Sequence, residues 1–118
     1  MKPGEYLGDS DLGREVFDVV HGILSEFGAV DVRTSRSQIA FHRRRGFAYL
    51  WLPRRYLRQP SAEVVLSIAL DRRLPSSRFK EVAHPAPHIW QHHLEIHDVL
   101  DVDDEVHEWL LAAYGAAT

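Results

Sequence analysis

The chain has 118 residues, of which 45% are hydrophobic and 26% are charged, and its formal net charge at pH 7 is −3. This length and this mixture are typical of one globular domain and exclude a disordered or fibrous chain. The sequence has no cysteine, no signal-peptide pattern and no apolar run of the roughly 18 residues that span a bilayer. We therefore expect a cytoplasmic protein without disulfides, thiol chemistry or contact with a membrane.

Charged residues are sorted along the chain by sign. Residues 33–80 contain twelve of the fourteen Lys and Arg residues and only two acids, whereas residues 81–118 contain eight acids and no Lys or Arg. Eleven of the twelve bases are arginines, whose planar guanidinium group holds phosphate or carboxylate through two hydrogen bonds. Such blocks favour a directed electric field. The alternative is that acidic helices simply pack beside a basic sheet.

The N-terminal part of the chain predicts one helix. Residues 1–10 contain one proline and two glycines and are expected to form a flexible lead-in. Over residues 11–27 the apolar residues recur at the spacing of one helical face, and acids fall between them. Asp9, Ser10 and Asp11 supply a cap and negative charge at the start of this pattern, and Gly28 follows it as a stop signal.

The middle of the chain changes to the alternation that is typical of strands. We predict strands near residues 30–32, 39–43, 47–52, 64–70, 79–83 and 89–96. Gly46 is expected to adopt the left-handed conformation in a tight hairpin turn. The strand over 64–70 is apolar on both faces, which indicates a central position in the sheet.

The last segment predicts a second helix that is capped by Asp101 and ends at Gly115. Successive strands joined by short turns form an antiparallel sheet. We therefore predict a single α+β domain over residues 11–115. In this domain an antiparallel sheet of five to six strands has the N- and C-terminal helices packed on one face, in two layers.

Several sequence segments together resemble a known family. They are Ile39-Ala40-Phe41 with Arg43, Phe47-Ala48-Tyr49, Trp90-Gln91-His92-His93-Leu94-Glu95, and Asp101-Val102-Asp103-Asp104-Glu105-Val106 with Trp109. From about residue 12 to 114, the chain resembles the uncharacterised bacterial family called domain of unknown function 5655. The resemblance implies a small α/β domain with a sheet between terminal helices. It implies no established activity and no catalytic residues.

Arginines in two loops form the first candidate site. Arg43, Arg44 and Arg45 lie at a predicted hairpin tip, and Arg54, Arg55 and Arg58 lie in the loop after the next strand. A six-residue strand separates the two groups by about 20 Å. We favour a non-catalytic binding module in which these arginines recognise an anionic partner, either nucleic acid or an acidic protein segment. The same charges would also allow the basic sheet of one copy to dock on the acidic C-terminal helix of another, forming a homodimer.

Tyr49 and Trp51 share one face of their predicted strand. Aromatic side chains flanked by bases can stack on the bases of single-stranded nucleic acid. Alternatively, the two side chains belong to the apolar face that the helices must cover. We favour this second interpretation.

Five of the eight histidines fall within fourteen residues: His84, His88, His92, His93 and His97. Trp90 and His92 share an apolar strand face that we expect to meet the helices. We favour a core histidine with both ring nitrogens hydrogen-bonded. The alternative is a proton-transfer group in a small-ligand or enzyme pocket between the sheet and the helices, lined by Tyr49, Trp90 and His92.

His93, Glu95 and His97 alternate on the opposite face of that strand and are the candidates for a metal site. No metal-binding spacing such as H-E-x-x-H occurs, so we expect a solvated polar face, with no metal and no cofactor. No phosphate-binding glycine loop or nucleophile motif occurs either. We therefore expect binding rather than catalysis.

Overall fold

A computed structural model describes all 118 residues. Helices α1 to α3 cover Pro3–Leu7, Asp11–Phe27 and Asp104–Ala116. Strands β1 to β6 cover Asp31–Thr34, Ile39–His42, Gly46–Trp51, Val64–Leu70, Phe79–Ala86 and Ile89–Ile96. Two short 3-10 helices cover Pro53–Arg55 and Val99–Asp101. None of the helices has the length and apolar character that a bilayer-spanning segment needs.

All six strands form one antiparallel sheet in the order β1-β2-β3-β4-β6-β5. The predicted α+β class, with an antiparallel sheet and helices from both ends of the chain, is confirmed. Strand β4 lies inside the sheet, as its apolar composition on both faces predicts. The edge strands are short and charged (β1) or interrupted by Pro85 and register shifts (β5), features that discourage pairing with another chain.

Helices α2 and α3 bury one face of the sheet. From α2, Val16, Val20 and Leu24 point into the core at four-residue spacing and are completely buried. From α3, Val106 and Leu110 are equally buried. The strand residues beneath the helices include Ile39, Phe41, Leu50, Leu66, Ile68, Leu94 and Ile96. Each apolar side chain of this size contributes about 1.5–3 kcal/mol when it is fully removed from water.

Residues 1–10, predicted to be a flexible lead-in, instead form α1 and a tight connection to α2. Tyr6 and Leu7 are only 2% exposed and belong to the core. The Tyr6 hydroxyl donates a hydrogen bond to the carbonyl of Ser37 and accepts one from the N–H of Leu52, both at 3.0 Å. Burial raises the pKa of Tyr6 to about 12, so the hydroxyl keeps its proton. The prediction overlooked the apolar side chains of Tyr6 and Leu7, because the proline and glycines of this segment are typical of flexible chain.

The cap of helix α3 lies two residues after the predicted cap, Asp101. The N-cap is Asp103, whose Oδ1 accepts the N–H of Val106 at 3.1 Å. Asp101 instead belongs to the preceding 3-10 helix, where its carboxylate accepts the backbone N–H groups of His97 and Asp98. Asp101 and Asp103 are both acids that can cap a helix, so the sequence does not distinguish them. The 3-10 helix over Val99–Asp101 is what leaves Asp103 at the cap position.

We expect the substitution Tyr6→Phe to lower the free energy of unfolding by about 1–3 kcal/mol, because it leaves the buried N–H of Leu52 without an acceptor. The matched control is Tyr56→Phe. The Tyr56 hydroxyl binds the same Ser37 carbonyl, but its ring is 50% exposed, so water replaces the lost bond. Chemical denaturation compares the two variants. Equal losses would contradict the placement of α1 in the cooperative core.

Candidate ligand-binding site

The sheet face opposite α2 and α3, which we call the open face, carries a row of polar side chains across four strands. Strand pairing aligns Tyr49 with Ser67, Ser67 with His93, and His93 with Glu81. Directly opposed residues in an antiparallel sheet lie on the same face. The row therefore brings together residues from β3, β4, β6 and β5 that are far apart in the sequence.

Tyr49 and Trp51 lie on the open face, so the prediction that they form the core beneath the helices is wrong. Strand β3 is apolar on both faces, and Ala48 and Leu50 are the residues that meet the helices.

Gly46 has no positive φ, which corrects the predicted left-handed turn. The Tyr49 hydroxyl lies so close to Gly46 that a Cβ would not fit, which is why this position suits glycine.

A pocket of about 370 Å³ opens on this face. It is lined by Trp51, Pro53, Leu57, Ser61, Val65, Lys80, Glu81, His93 and Glu95. Its volume falls within the range of about 300–1,000 Å³ that is usual for small-molecule sites. Two other depressions, one beside Trp109 and one beside Arg14, are more open to solvent.

A chain of hydrogen bonds connects the aromatic wall of the pocket to its histidine. The indole Nε1–H of Trp51 donates to Ser67 Oγ at 2.9 Å, and Ser67 Oγ lies 2.6 Å from Nδ1 of His93. An indole can only donate, so the hydroxyl hydrogen of Ser67 is free to point at His93 Nδ1. Ser67 Oγ has no other hydrogen-bond partner, so its hydrogen is paired only when neutral His93 accepts it on Nδ1 and carries its own proton on Nε2. Ser67, the one polar residue in β4, was the sequence signal that could have revealed this site.

The surroundings of His93 favour its neutral form. Burial lowers the pKa of the imidazole, and the nearby carboxylate of Glu81 partly opposes this effect. The Ser67 hydroxyl also donates to the lone pair that protonation would remove, which disfavours the charged ring. No group of the protein accepts the Nε2–H. A neutral imidazole of this kind can donate to a ligand or exchange a proton with it.

His92 points to the other face and is a core residue. Its Nε2 accepts the backbone N–H of Leu74 at 3.0 Å, while Nδ1 faces the carbonyl oxygens of Ile68 at 3.2 Å and Trp90 at 3.0 Å. Two carbonyls can only accept, so His92 carries its proton on Nδ1. The ring is fully buried against Phe79. The interpretation of His92 as a satisfied core histidine agrees with this geometry.

Tyr49, Trp90 and His92 do not line a common pocket between the sheet and the helices. Tyr49 lies on the open face and His92 on the helix-covered face, so the sheet itself separates them. Trp90 stacks on the ring of His84, with centroids 4.0 Å apart. The pocket that does form lies on the opposite side of the sheet and uses the neighbouring His93.

His93, Glu95 and His97, the candidate metal ligands, do not converge on one point. His93 Nδ1 is bonded to a hydroxyl, and Nε2 of His97 lies 3.9 Å from Oε1 of Glu95. No group of three or more His, Cys, Asp or Glu side chains is arranged to hold a metal ion. Glu95 instead accepts the hydroxyl of Ser61, which ties the loop after β3 to β6.

The first group of predicted anion-binding arginines holds the end of α3. Arg43 and Arg45 donate to the carbonyl oxygens of Tyr114 at 3.1 Å and Ala116 at 2.9 Å. Cations at this position complement the negative end of the helix dipole. The guanidinium group of Arg44 is exposed and has no hydrogen-bond partner.

The second group is partly engaged with the N-terminal segment. Arg54 forms an ion pair with Asp9 at 2.6 Å, and Arg55 binds the carbonyl of Tyr6 and lies over its ring at 4.8 Å. Arg58 is exposed and has no partner. Each group therefore leaves one guanidinium group free. Anion recognition by all six arginines together stays a prediction.

We expect the adjacent histidines to be opposite tautomers at about pH 8, where both are neutral. His93 should carry its proton on Nε2 and His92 on Nδ1, because their partners differ in the ability to donate. Long-range ¹H–¹⁵N NMR correlations distinguish the two forms. Ser67→Ala should raise the pKa of His93 and leave the His92 tautomer unchanged. Identical tautomers in the parent protein would contradict the hydrogen-bond chain.

We expect acid to destabilise the fold through His92. Burial lowers its pKa below the ordinary value of 6.5, so the unfolded chain binds a proton first as the pH falls. The stabilising contribution is therefore complete above about pH 6.5 and is lost progressively below it. Urea denaturation between about pH 8 and pH 5 measures this dependence.

The same histidine-to-glutamine substitution at two positions tests this assignment. His92→Gln should lower the stability at high pH and make its pH dependence shallower. His88→Gln changes an exposed histidine without hydrogen bonds, so both properties should be unaffected. An unchanged pH dependence in H92Q would show that His92 is not responsible.

One comparison with known proteins, the match to a family model, extends over almost the whole of this fold. A family model described as "Domain of unknown function (DUF5655)" matches residues 5–117, which include the end of α1, all of α2, the complete sheet and α3. Comparisons with the curated proteins and with the solved structures give no match. The resemblance seen in the sequence segments is thereby confirmed, and the chain belongs to the DUF5655 family.

Proposed function

We propose that this protein binds a small organic ligand in the pocket on the open face, with His93 as the group that exchanges a hydrogen bond or a proton with it. The observation that carries the proposal is the chain from Trp51 through Ser67 to His93, which ends at a free imidazole N–H beside the pocket. Nucleic-acid or acidic-protein binding through the arginines, and homodimer formation, stay predictions of the sequence.

The pocket is pre-organised by contacts within the protein. Hydrogen bonding holds the Trp51 indole and the His93 imidazole nearly perpendicular, with centroids 6.2 Å apart. The Ser61–Glu95 hydrogen bond anchors the loop that supplies Pro53 and Leu57 to the pocket. A ligand would therefore meet groups that are already oriented, which reduces the entropy lost on binding.

The chemistry that these residues support is acid–base rather than nucleophilic. The Ser67 hydroxyl is only 1% exposed and is already engaged by both Trp51 and His93. A bond from a serine hydroxyl to an imidazole would itself assist attack. The oxygen of Ser67, however, is buried and accepts the indole N–H of Trp51, which keeps a ligand in the pocket from reaching it. His93 is the residue that would carry any proton transfer.

We expect small molecules to perturb the environment of Trp51 selectively. The probes are a panel of aromatic and aliphatic acids, amines and amino acids at millimolar concentration. The three tryptophans provide three indole N–H signals in a ¹H–¹⁵N spectrum. Binding in the pocket should shift the signal of Trp51 and leave those of Trp90 and Trp109 in place.

Two matched variants control this experiment. Trp51→Phe removes an aromatic wall and the donor to Ser67, and it should weaken binding of every active probe. Trp90→Phe alters a tryptophan that lies outside the pocket and should leave the affinities unchanged. The proposal fails when no probe shifts the Trp51 signal, or when all three tryptophan signals respond alike.

A further inference from the structure

We infer that the ligand of this pocket is a zwitterion, a molecule with one acidic and one ammonium group attached to an apolar or aromatic part. The inference rests on the proposed function and specifies the chemical class of its ligand. It follows from the charges that border the pocket and from the sheet irregularity that places them there.

The pocket offers one positive and one negative group that the protein leaves unpaired. Lys80 and Glu81 both line it, and neither forms an ion pair or a side-chain hydrogen bond within the chain. The second carboxylate of the pocket, Glu95, accepts the hydroxyl hydrogen of Ser61 and lies 3.9 Å from Nε2 of His97. Lys80 and Glu81 are exposed at the rim, so water hydrates their charges in the free protein.

A β-bulge allows these consecutive residues to border the same pocket. Neighbours on a regular strand point to opposite faces. Here Phe79 pairs with Leu94 while Glu81 pairs with His93, so Lys80 is an extra residue opposite the regular strand β6. A bulge of this kind redirects a side chain and is frequent beside binding sites. The backbone irregularity is therefore what brings both charges to one rim.

The arrangement of donors and acceptors matches a zwitterion. The ammonium of Lys80 and the Nε2–H of His93 are donors for an acidic group. Glu81, directly opposite His93 in the sheet, is the acceptor for an ammonium group. Trp51 and Leu57 provide the surface for an apolar part. A ligand with only one charge would leave the other rim group in water and would form one charge-assisted hydrogen bond fewer with the pocket.

Three probes with the same ring and similar chains test the inference: phenylalanine, phenethylamine and 3-phenylpropionate. Titrations followed at the Trp51 indole signal give their affinities. We expect phenylalanine to bind about tenfold more tightly than either singly charged probe, the effect of one additional charge-assisted hydrogen bond.

Charge-neutralising variants assign each part of this preference. Lys80→Met should remove the advantage of phenylalanine over phenethylamine, and Glu81→Gln should remove its advantage over 3-phenylpropionate. Lys2→Met and Glu108→Gln make the same changes away from the pocket and should have no effect.

The outcomes separate this inference from the proposed function. Equal affinities for phenylalanine and a singly charged probe would overturn the zwitterion assignment, while the pocket would still be a binding site. The same holds when only the singly charged acids or amines of the wider panel bind. Failure of every probe to shift the Trp51 signal would overturn both.

Discussion

Two helices cover only one face of a sheet whose central strands are apolar on both faces. The open face therefore needs another cover, and the loop after β3 provides part of it at one end. Val65 is only 5% exposed although it lies on the open face and outside the helix-covered core. Trp51 and Leu57 line the pocket together with Val65, and the Ser61–Glu95 hydrogen bond holds the loop in place. The pocket exists because this cover is incomplete.

The alternation of a strand gives two adjacent histidines opposite roles. His92 enters the core, where carbonyl oxygens and one backbone N–H satisfy both ring nitrogens. His93 faces the pocket, where Ser67 satisfies only one of them. Identical side chains thus carry their protons on different nitrogens because their neighbours differ. The first is a structural residue, and the second is available for a ligand.

Contacts across the fold also explain part of the charge sorting. Arg78 binds Asp103 at 3.1 Å and Glu105 at 2.8 Å, both at the start of α3. Other arginines of the middle segment hold the carbonyl oxygens at the end of the same helix or an acid of the N-terminal segment. The basic sheet and the acidic terminal segments therefore stabilise one another. Packing of acids beside bases was the alternative to a directed field. Among the six predicted anion-binding arginines, Arg54 pairs with an acid, whereas Arg43, Arg45 and Arg55 bind backbone carbonyl oxygens.

Local sequence patterns were sufficient to predict the helix over residues 11–27, the antiparallel sheet and the α+β class, because periodicity, capping and turn chemistry act over a few residues. The face that Tyr49 and Trp51 occupy became clear only in the tertiary structure, because strand β3 has apolar residues on both faces and its sequence pattern does not distinguish them. The tertiary structure also decided the site. Ser67 lies 16 positions from Trp51 and 26 from His93, and strand register, not local pattern, brings the three side chains into contact.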